Sequence, residues 1–99
     1  LKIENVTITQ DRVVANVFNK RGFDRTDVFI EIGEFALPAA PDFQINENDK
    51  THAIVVMPIP QDIQDEFKNN GPDIAYQGHT IRVTVTDGRF AVEQVIDMD

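Results

Sequence analysis

The sequence predicts an all-β protein: a seven-stranded antiparallel β-sandwich of the immunoglobulin-like or fibronectin type III-like kind, with a short helical turn around residues 61–69. Three observations lead to this prediction. Short runs of alternating apolar and polar residues recur along the chain, and turn residues separate them about every eight to twelve positions. The last hairpin has an apolar face that needs a second sheet to cover it. A long connection precedes that hairpin.

The most regular segment of the chain is residues 79–96, which predicts a β-hairpin. β-Branched residues alternate with polar ones as far as Asp87 and Gly88, and an Asp-Gly pair favours a two-residue type I′ turn. Such a turn fixes the register and leaves one face apolar and the other solvated. The expected cross-strand pairs are Val85 with Phe90 and Val83 with Val92 on the core face, and Arg82 with Glu93 on the solvated face.

The rest of the chain predicts five more strands and one or two helical turns. In the first strand the apolar spacing slips from two to three near Glu4 and Asn5, which indicates a β-bulge. Residues 33–42 contain two prolines and are expected to form a crossover, and the apolar residues 51–57 are expected to be buried on both faces. The predicted strands are residues 1–8, 13–18, 27–32, 43–45 and 51–57, and the helical turns lie within residues 58–78.

The inward-facing positions of these strands form the predicted core between the two sheets. These residues are Ile3, Val6, Ile8, Val13, Ala15, Val17, Val28, Ile30, Ile32, Ile45, Val55, Ile81, Val83, Val85, Phe90 and Val92.

Composition limits the kinds of protein that the chain can be. Its 99 residues suit one domain, residues 1–99, and no run approaches the ~18 apolar residues that membrane insertion needs. Because the chain has neither an initiating Met nor a signal-peptide pattern, we expect it to be excised from a longer polypeptide. Its net charge of −8 argues against nucleic acid as a partner.

The sequence contains no catalytic motif. Cys and Ser are both missing, and phosphate-binding loops and zinc-protease motifs are absent, so we expect no enzyme activity. His52 and His79 are predicted to begin strands of different sheets, which disfavours a shared metal ion. Glu47 and Asp49 resemble half of a calcium loop, so calcium stays an alternative although no cofactor is expected.

A short segment of the chain resembles a known kind of repeat. Residues 77–89, Gln-Gly-His-Thr-Ile-Arg-Val-Thr-Val-Thr-Asp-Gly-Arg, resemble the penultimate strand and final turn of bacterial immunoglobulin-like repeats, including the PKD and cadherin-like types. The resemblance covers under a fifth of the chain. It implies a β-sandwich bead in a multi-domain protein.

Two places are predicted to be available for interaction. Phe29 leaves the core on the outer face of the sheet that holds the last hairpin, beside Arg82, where an aromatic ring can contact a sugar or a protein. Phe23 lies between Arg21 and Arg25 in the loop after the second strand. We expect it to be the apolar anchor of a charged end that also holds Arg89.

The predicted topology also separates charge along the domain. It places three connecting turns and the first residue at one end, and the last residue at the other. These turns hold five basic and four acidic residues, a net +1, whereas the remaining four basic and thirteen acidic residues give −9. In a tandem assembly the acidic end is then expected to face a neighbour's less negative end. The residues that mark the acidic end are Asp62, Asp65, Glu66, Asp97 and Asp99.

These observations predict a non-catalytic structural or interaction module, a spacer or adhesion-type bead in a larger extracellular, cell-surface or virion protein. Its expected partners are neighbouring domains or another protein. The alternative is an accessory carbohydrate-binding module attached to an enzyme. The small supply of aromatic residues, without Trp and with one Tyr, favours the first prediction.

Overall fold

The computed structural model of the chain describes residues 1–9, 11–38, 41–67 and 79–97. Over these residues the chain forms eight strands and one helix in a body of 42 × 23 × 22 Å. In chain order they are β1 (Lys2–Ile8), β2 (Arg12–Phe18), β3 (Asp27–Ile32), β4 (Phe35–Ala36), β5 (Asp42–Ile45), β6 (His52–Pro58), α1 (Gln61–Phe67), β7 (Thr80–Thr86) and β8 (Ala91–Asp97).

The strands form two four-stranded antiparallel sheets. Sheet A has the order β1-β2-β6-β5, and sheet B has the order β4-β3-β7-β8. Sheet A and the last three strands of sheet B have the strand order of a constant-type immunoglobulin sandwich. The predicted sandwich is confirmed. The eighth strand arises because the chain turns back at Gly33, with a φ of 57°, and pairs β4 with β3.

The core lies between the sheets because each strand buries alternate residues. In β3, for example, three apolar side chains are buried while Asp27, Phe29 and Glu31 are exposed. The predicted bulge in β1 is confirmed by a shift of register between Ile3 and Asn5. The buried apolar residues are Val13, Ala15, Val17, Phe23, Val28, Ile30, Ile32, Leu37, Ala53, Val55, Met57, Ile59, Ile63, Ile81, Val83 and Val85.

Three predictions about the core are wrong. Ile45 is exposed because it ends β5, the short edge strand of sheet A. Phe90 is 60% exposed because it lies in the loop before β8. Strand β6 buries one face only, since Ile54 on its other face is exposed. The predicted core also lacked six buried residues, which are Phe23, Leu37, Ala53, Met57, Ile59 and Ile63.

The register of the last hairpin differs from the predicted one. Thr86 pairs with Ala91, so the loop consists of residues 87–90 and each predicted partner moves by two positions. Gly88 has a φ of 88°, whereas Asp87 does not have a positive φ, which excludes a type I′ turn. A shift of two positions preserves the face of every side chain, so the predicted core face of β7 stays correct.

The predicted helical turn is confirmed as α1, up to residue 67. The backbone N–H of Gln64 donates to the carbonyl of Pro60 at 3.0 Å, and the Gln64 side-chain amide donates to the carbonyl of Ile59 at 2.8 Å. Ile59 and Ile63 are buried and attach the helix to the sandwich. No helix in the described part of the chain is long and apolar enough to span a membrane.

The two ends of the sandwich carry different loops. The segments 19–26, 46–51 and 87–90 lie with Leu1 at one end, here called the loop end. The turn between β1 and β2, helix α1 and Asp97 lie at the other, here called the helix end. The prediction that the first and last residues lie at opposite ends is confirmed as far as Asp97, and Asp99 lies outside the described residues.

Candidate functional site

The first loop of the loop end is organised by one buried asparagine. Asn19 is 2% exposed, and its backbone N–H donates to the carbonyl of Thr51 at 2.8 Å. Its side-chain oxygen accepts the backbone N–H of Arg21 at 3.0 Å, and its side-chain nitrogen donates to the hydroxyl of Thr26 at 3.4 Å. These bonds satisfy a buried amide and hold both ends of the loop, so Arg21 and Arg25 are presented to solvent from a fixed backbone.

The second loop, residues 87–90, is organised by the carboxylate of Asp87. One of its oxygens accepts the backbone N–H groups of Arg89 at 3.0 Å and of Phe90 at 2.9 Å. The hydroxyl of Thr86 accepts the N–H of Gly88 at 3.2 Å and donates to the carbonyl of Phe90 at 3.0 Å. An aspartate that bonds its own following backbone forms an Asx-type turn, which replaces the predicted type I′ turn.

The pKa of Asp87 is lowered by the same contacts. The N–H of Phe90 makes the largest contribution, followed by the N–H of Arg89, and the positive charge of Arg21 adds to them. Hydrogen bonds that a carboxylate accepts favour its charged form. Asp87 is therefore a fixed negative charge in a loop that otherwise presents a basic residue.

The two loops enclose a cleft of about 330 Å³. Arg21, Arg25 and Arg89 line it together with Asp24 and Asp87. Within the described residues, none of the three guanidinium groups makes an ion pair. The cleft therefore holds three guanidinium groups without an ion-pair contact beside two carboxylates, a formal net charge of +1, and the three arginines predicted from the sequence lie together.

The predicted apolar anchor of this end is wrong. Phe23 is 7% exposed, and its ring lies 5.9 Å from the ring of Phe43 in the core. It points inward because the buried Asn19 and Thr26 close the loop over it. The exposed aromatic ring of the loop end is Phe90, next to Arg89. Sequence reasoning missed it because a two-residue turn would have placed Phe90 in β8.

The helix end is acidic, as predicted. Helix α1 has Asp62 in its first turn and no basic residue in its last turn. Asp65 accepts a hydrogen bond from the Gln61 side chain at 2.9 Å, and Glu66 and Asp97 are exposed. The described structure thus places the cleft with its three arginines and the acidic helix α1 at opposite ends of the same long axis.

The outer face of sheet B holds the other two predicted residues. Phe29 is 57% exposed and lies opposite Thr84. Arg82 makes an ion pair with Glu93 at 2.8 Å, along a diagonal, because the shifted register places Val95 directly opposite it. Phe29 therefore lies on a solvent-exposed sheet face, beside an arginine that already pairs with a carboxylate.

The outer face of sheet A holds a groove of about 500 Å³ that the sequence did not predict. His52 lies in it, with Nδ1 at 2.6 Å from Asp49 and Nε2 at 3.3 Å from Glu4. The ring of Phe18 lies 5.1 Å from the imidazole. The lining residues are scattered over four strands and a loop, so no local sequence pattern marks them.

Among the described residues, no group of three or more His, Asp or Glu side chains is arranged to hold a metal ion. His52 and His79 lie at opposite ends of the sandwich. In the segment that resembles half of a calcium loop, the hydroxyl and backbone N–H of Thr51 lower the pKa of Asp49, and His52 contributes less. The carboxylate of Asp49 is thus already engaged by the protein.

Comparison with known families adds one finding. The family described as "Domain of unknown function (DUF8393)" matches residues 1–99. The chain belongs to this family. No curated protein and no solved structure matches the DUF8393 chain. The resemblance of residues 77–89 to immunoglobulin-like repeats therefore stays a prediction.

Proposed function

We propose that this chain is a non-catalytic interaction module, one bead of a larger extracellular, cell-surface or virion protein. Its loop end docks on the acidic helix end of a second copy. The observation that carries the proposal is the cleft between the two loops of the loop end, with three unpaired guanidinium groups.

Charge complementarity supports this choice of partner. The cleft presents Arg21, Arg25 and Arg89, whereas the opposite end presents carboxylates on α1 and at the end of β8. Opposite charges across an interface steer two surfaces together and disfavour the reversed arrangement. Guanidinium groups are suited to this contact because they bind carboxylates with two parallel hydrogen bonds.

Phe90 supplies the apolar part of the proposed contact. Its side chain is exposed beside Arg89, and Asp87 fixes its backbone position by accepting its N–H. Aromatic and arginine residues are enriched among the side chains that dominate binding energy at interfaces. This arrangement replaces the buried Phe23 as the anchor.

The position of the ends supports an end-to-end assembly. Leu1 lies at the loop end and Asp97 at the helix end, so copies that follow one another along an axis present unlike ends to each other. A contact between unlike patches is heterologous and can continue from copy to copy. The proposal that the module is a spacer rests on this geometry.

The proposal is tested by sedimentation velocity with concentrated protein at low and high salt. We expect weak association that salt suppresses, since exposed charges are screened beyond about 10 Å at 0.1 M salt. Arg25→Glu should abolish it, while the control Arg82→Glu, with the same change of net charge on the outer face of sheet B, should retain it. A mixture of Arg25→Glu with Asp65→Lys should associate more strongly than Arg25→Glu alone.

Two results would exclude this docking. One is equal association of the parent, Arg25→Glu and Arg82→Glu. The other is a lack of association at any salt concentration.

A further inference from the structure

A second site is formed on the outer face of sheet A, independently of the cleft at the loop end. The groove there has a volume of about 500 Å³, within the range of about 300 to 1,000 Å³ that is typical of small-ligand sites. It shares no lining residue with the loop-end cleft. The side chains that line it are Glu4, Asn16, Gln44, Asn46, His52 and Ile54.

Amide groups with unused hydrogen-bonding capacity surround the groove. In the described chain, the side chains of Asn16 and Gln44 make no hydrogen bond to protein. The side-chain oxygen of Asn46 accepts the N–H groups of Asn48 and Asp49, which leaves its amide nitrogen available to donate. All three amides can therefore donate hydrogen bonds to a ligand in the groove, and the side-chain oxygens of Asn16 and Gln44 can also accept them.

The imidazole of His52 is held in place before any ligand arrives. Asp49 and Glu4 engage its two nitrogens, and Phe18 packs near its ring. Glu4 is the residue of β1 without a register partner, at the bulge between Ile3 and Asn5. A side chain fixed by three neighbours loses little further entropy when a ligand binds.

The chemistry of the lining selects a neutral, polyhydroxylated ligand. Amides and a carboxylate pair with hydroxyl groups, which donate and accept hydrogen bonds. The carboxylate of Glu4 in the lining disfavours anions at this place, since like charges repel. The exposed side chain of Ile54 offers an apolar contact for the C–H face of a sugar ring. We propose that this groove binds a neutral oligosaccharide.

The test is a titration of the isotope-labelled chain, followed by NMR, with millimolar maltoheptaose, cellopentaose, xylohexaose and mannohexaose. We expect one of these glycans to shift the side-chain amide signals of Asn16, Gln44 and Asn46. The double variant Asn16→Ala with Gln44→Ala should weaken its binding about 10-fold or more, because two hydrogen bonds are lost. Both positions are on a solvated sheet face, so the fold should be unaffected.

Two matched controls separate this site from the other surfaces. Phe29→Ala removes the exposed aromatic ring of sheet B, and Arg25→Glu removes a charge from the loop-end cleft. Both should bind the glycan as the parent does. The proposal is overturned if none of the four glycans shifts these signals, or if Phe29→Ala alone removes binding. Because Arg25→Glu is tested in both experiments, loss of self-association and loss of glycan binding are separate outcomes.

Discussion

The sandwich makes a sharp prediction about two neighbouring residues of β7. Val85 is 0% exposed and lies between Val28 of β3 and Val92 of β8. Thr84, the preceding residue, points to the outer face of sheet B and lies between Phe29 and Glu93. Val85→Asp and Thr84→Asp therefore make the same kind of change in the same strand, on opposite faces.

The expected cost of Val85→Asp has two parts. Loss of the buried valine side chain costs about 1.5 to 3 kcal/mol. The introduced carboxyl group has apolar neighbours on both adjacent strands, so it must be protonated to stay buried. Protonating a group with a pKa of about 3.9 at about pH 7 costs about 4 kcal/mol. The total of about 6 kcal/mol is comparable to the whole stability of a small domain, about 5 to 15 kcal/mol.

Thr84→Asp should cost only about 1 to 2 kcal/mol, from lower β propensity and repulsion by Glu93. Urea unfolding followed by far-ultraviolet circular dichroism measures both variants. The cost of Val85→Asp should also shrink toward about pH 4, because the folded state binds a proton that the unfolded state loses at higher pH. Equal midpoints for the two variants, or an unchanged midpoint for Val85→Asp, would refute the assignment of faces.

Three further predictions follow from the described contacts. Phe23→Ala should destabilise the fold by about 3 to 5 kcal/mol, whereas Phe90→Ala should change unfolding by less than about 0.5 kcal/mol; urea midpoints distinguish a core ring from a surface ring. Asp87→Ala should destabilise the hairpin by removing the acceptor of two backbone N–H groups, and hydrogen exchange at residues 89 and 90 should rise. Acid should weaken the fold, because folding lowers the pKa values of Asp11, Asp49 and Asp87. The stability that these three carboxylates contribute is present above their unfolded pKa near 3.8, and it is lost as the pH falls through their folded pKa values. Urea unfolding at several pH values, compared for the parent and Asp49→Asn, checks the last point.

The parts of the fold that sequence predicted are those that alternation controls. Strand β3 was predicted with its observed bounds because three apolar and three outward residues alternate without interruption. Burial on one face is a local consequence of pleating, so it can be recognised within a single strand. The bulge near Glu4 was also predictable, since an added residue breaks that alternation.

The parts that sequence did not predict depend on contacts between distant segments. Phe23 lies in a loop without periodicity, and its burial depends on the hydrogen bond from Asn19 to Thr26 that closes the loop and on the distant ring of Phe43. An Asp-Gly pair is compatible with a two-residue turn and with the four-residue loop that is found. The Asp87 side chain favours the longer loop because it accepts the N–H groups of residues 89 and 90. Ile45 alternates correctly but ends an edge strand, and a strand's place in a sheet is a tertiary property.

The candidate sites divide in the same way. The three arginines of the loop-end cleft could be predicted together, because the topology places their two loops at one end. The groove on sheet A could not, since its lining comes from β1, β2, β5, β6 and the loop after β5. Outward-facing polar residues are common in any sheet with a solvated face. Only the register between the strands brings the lining residues together around the groove.

The positions of the first and last strands determine how the sandwich would respond to a stretching force. Strands β1 and β8 are edge strands of opposite sheets, lie close to each other and both run from the loop end to the helix end. A force that pulls Leu1 and Asp97 apart along the long axis would slide β1 along β2 and β8 along β7. The hydrogen bonds of both ladders lie across that force and would bear it together, instead of opening one after another as in a peeled hairpin.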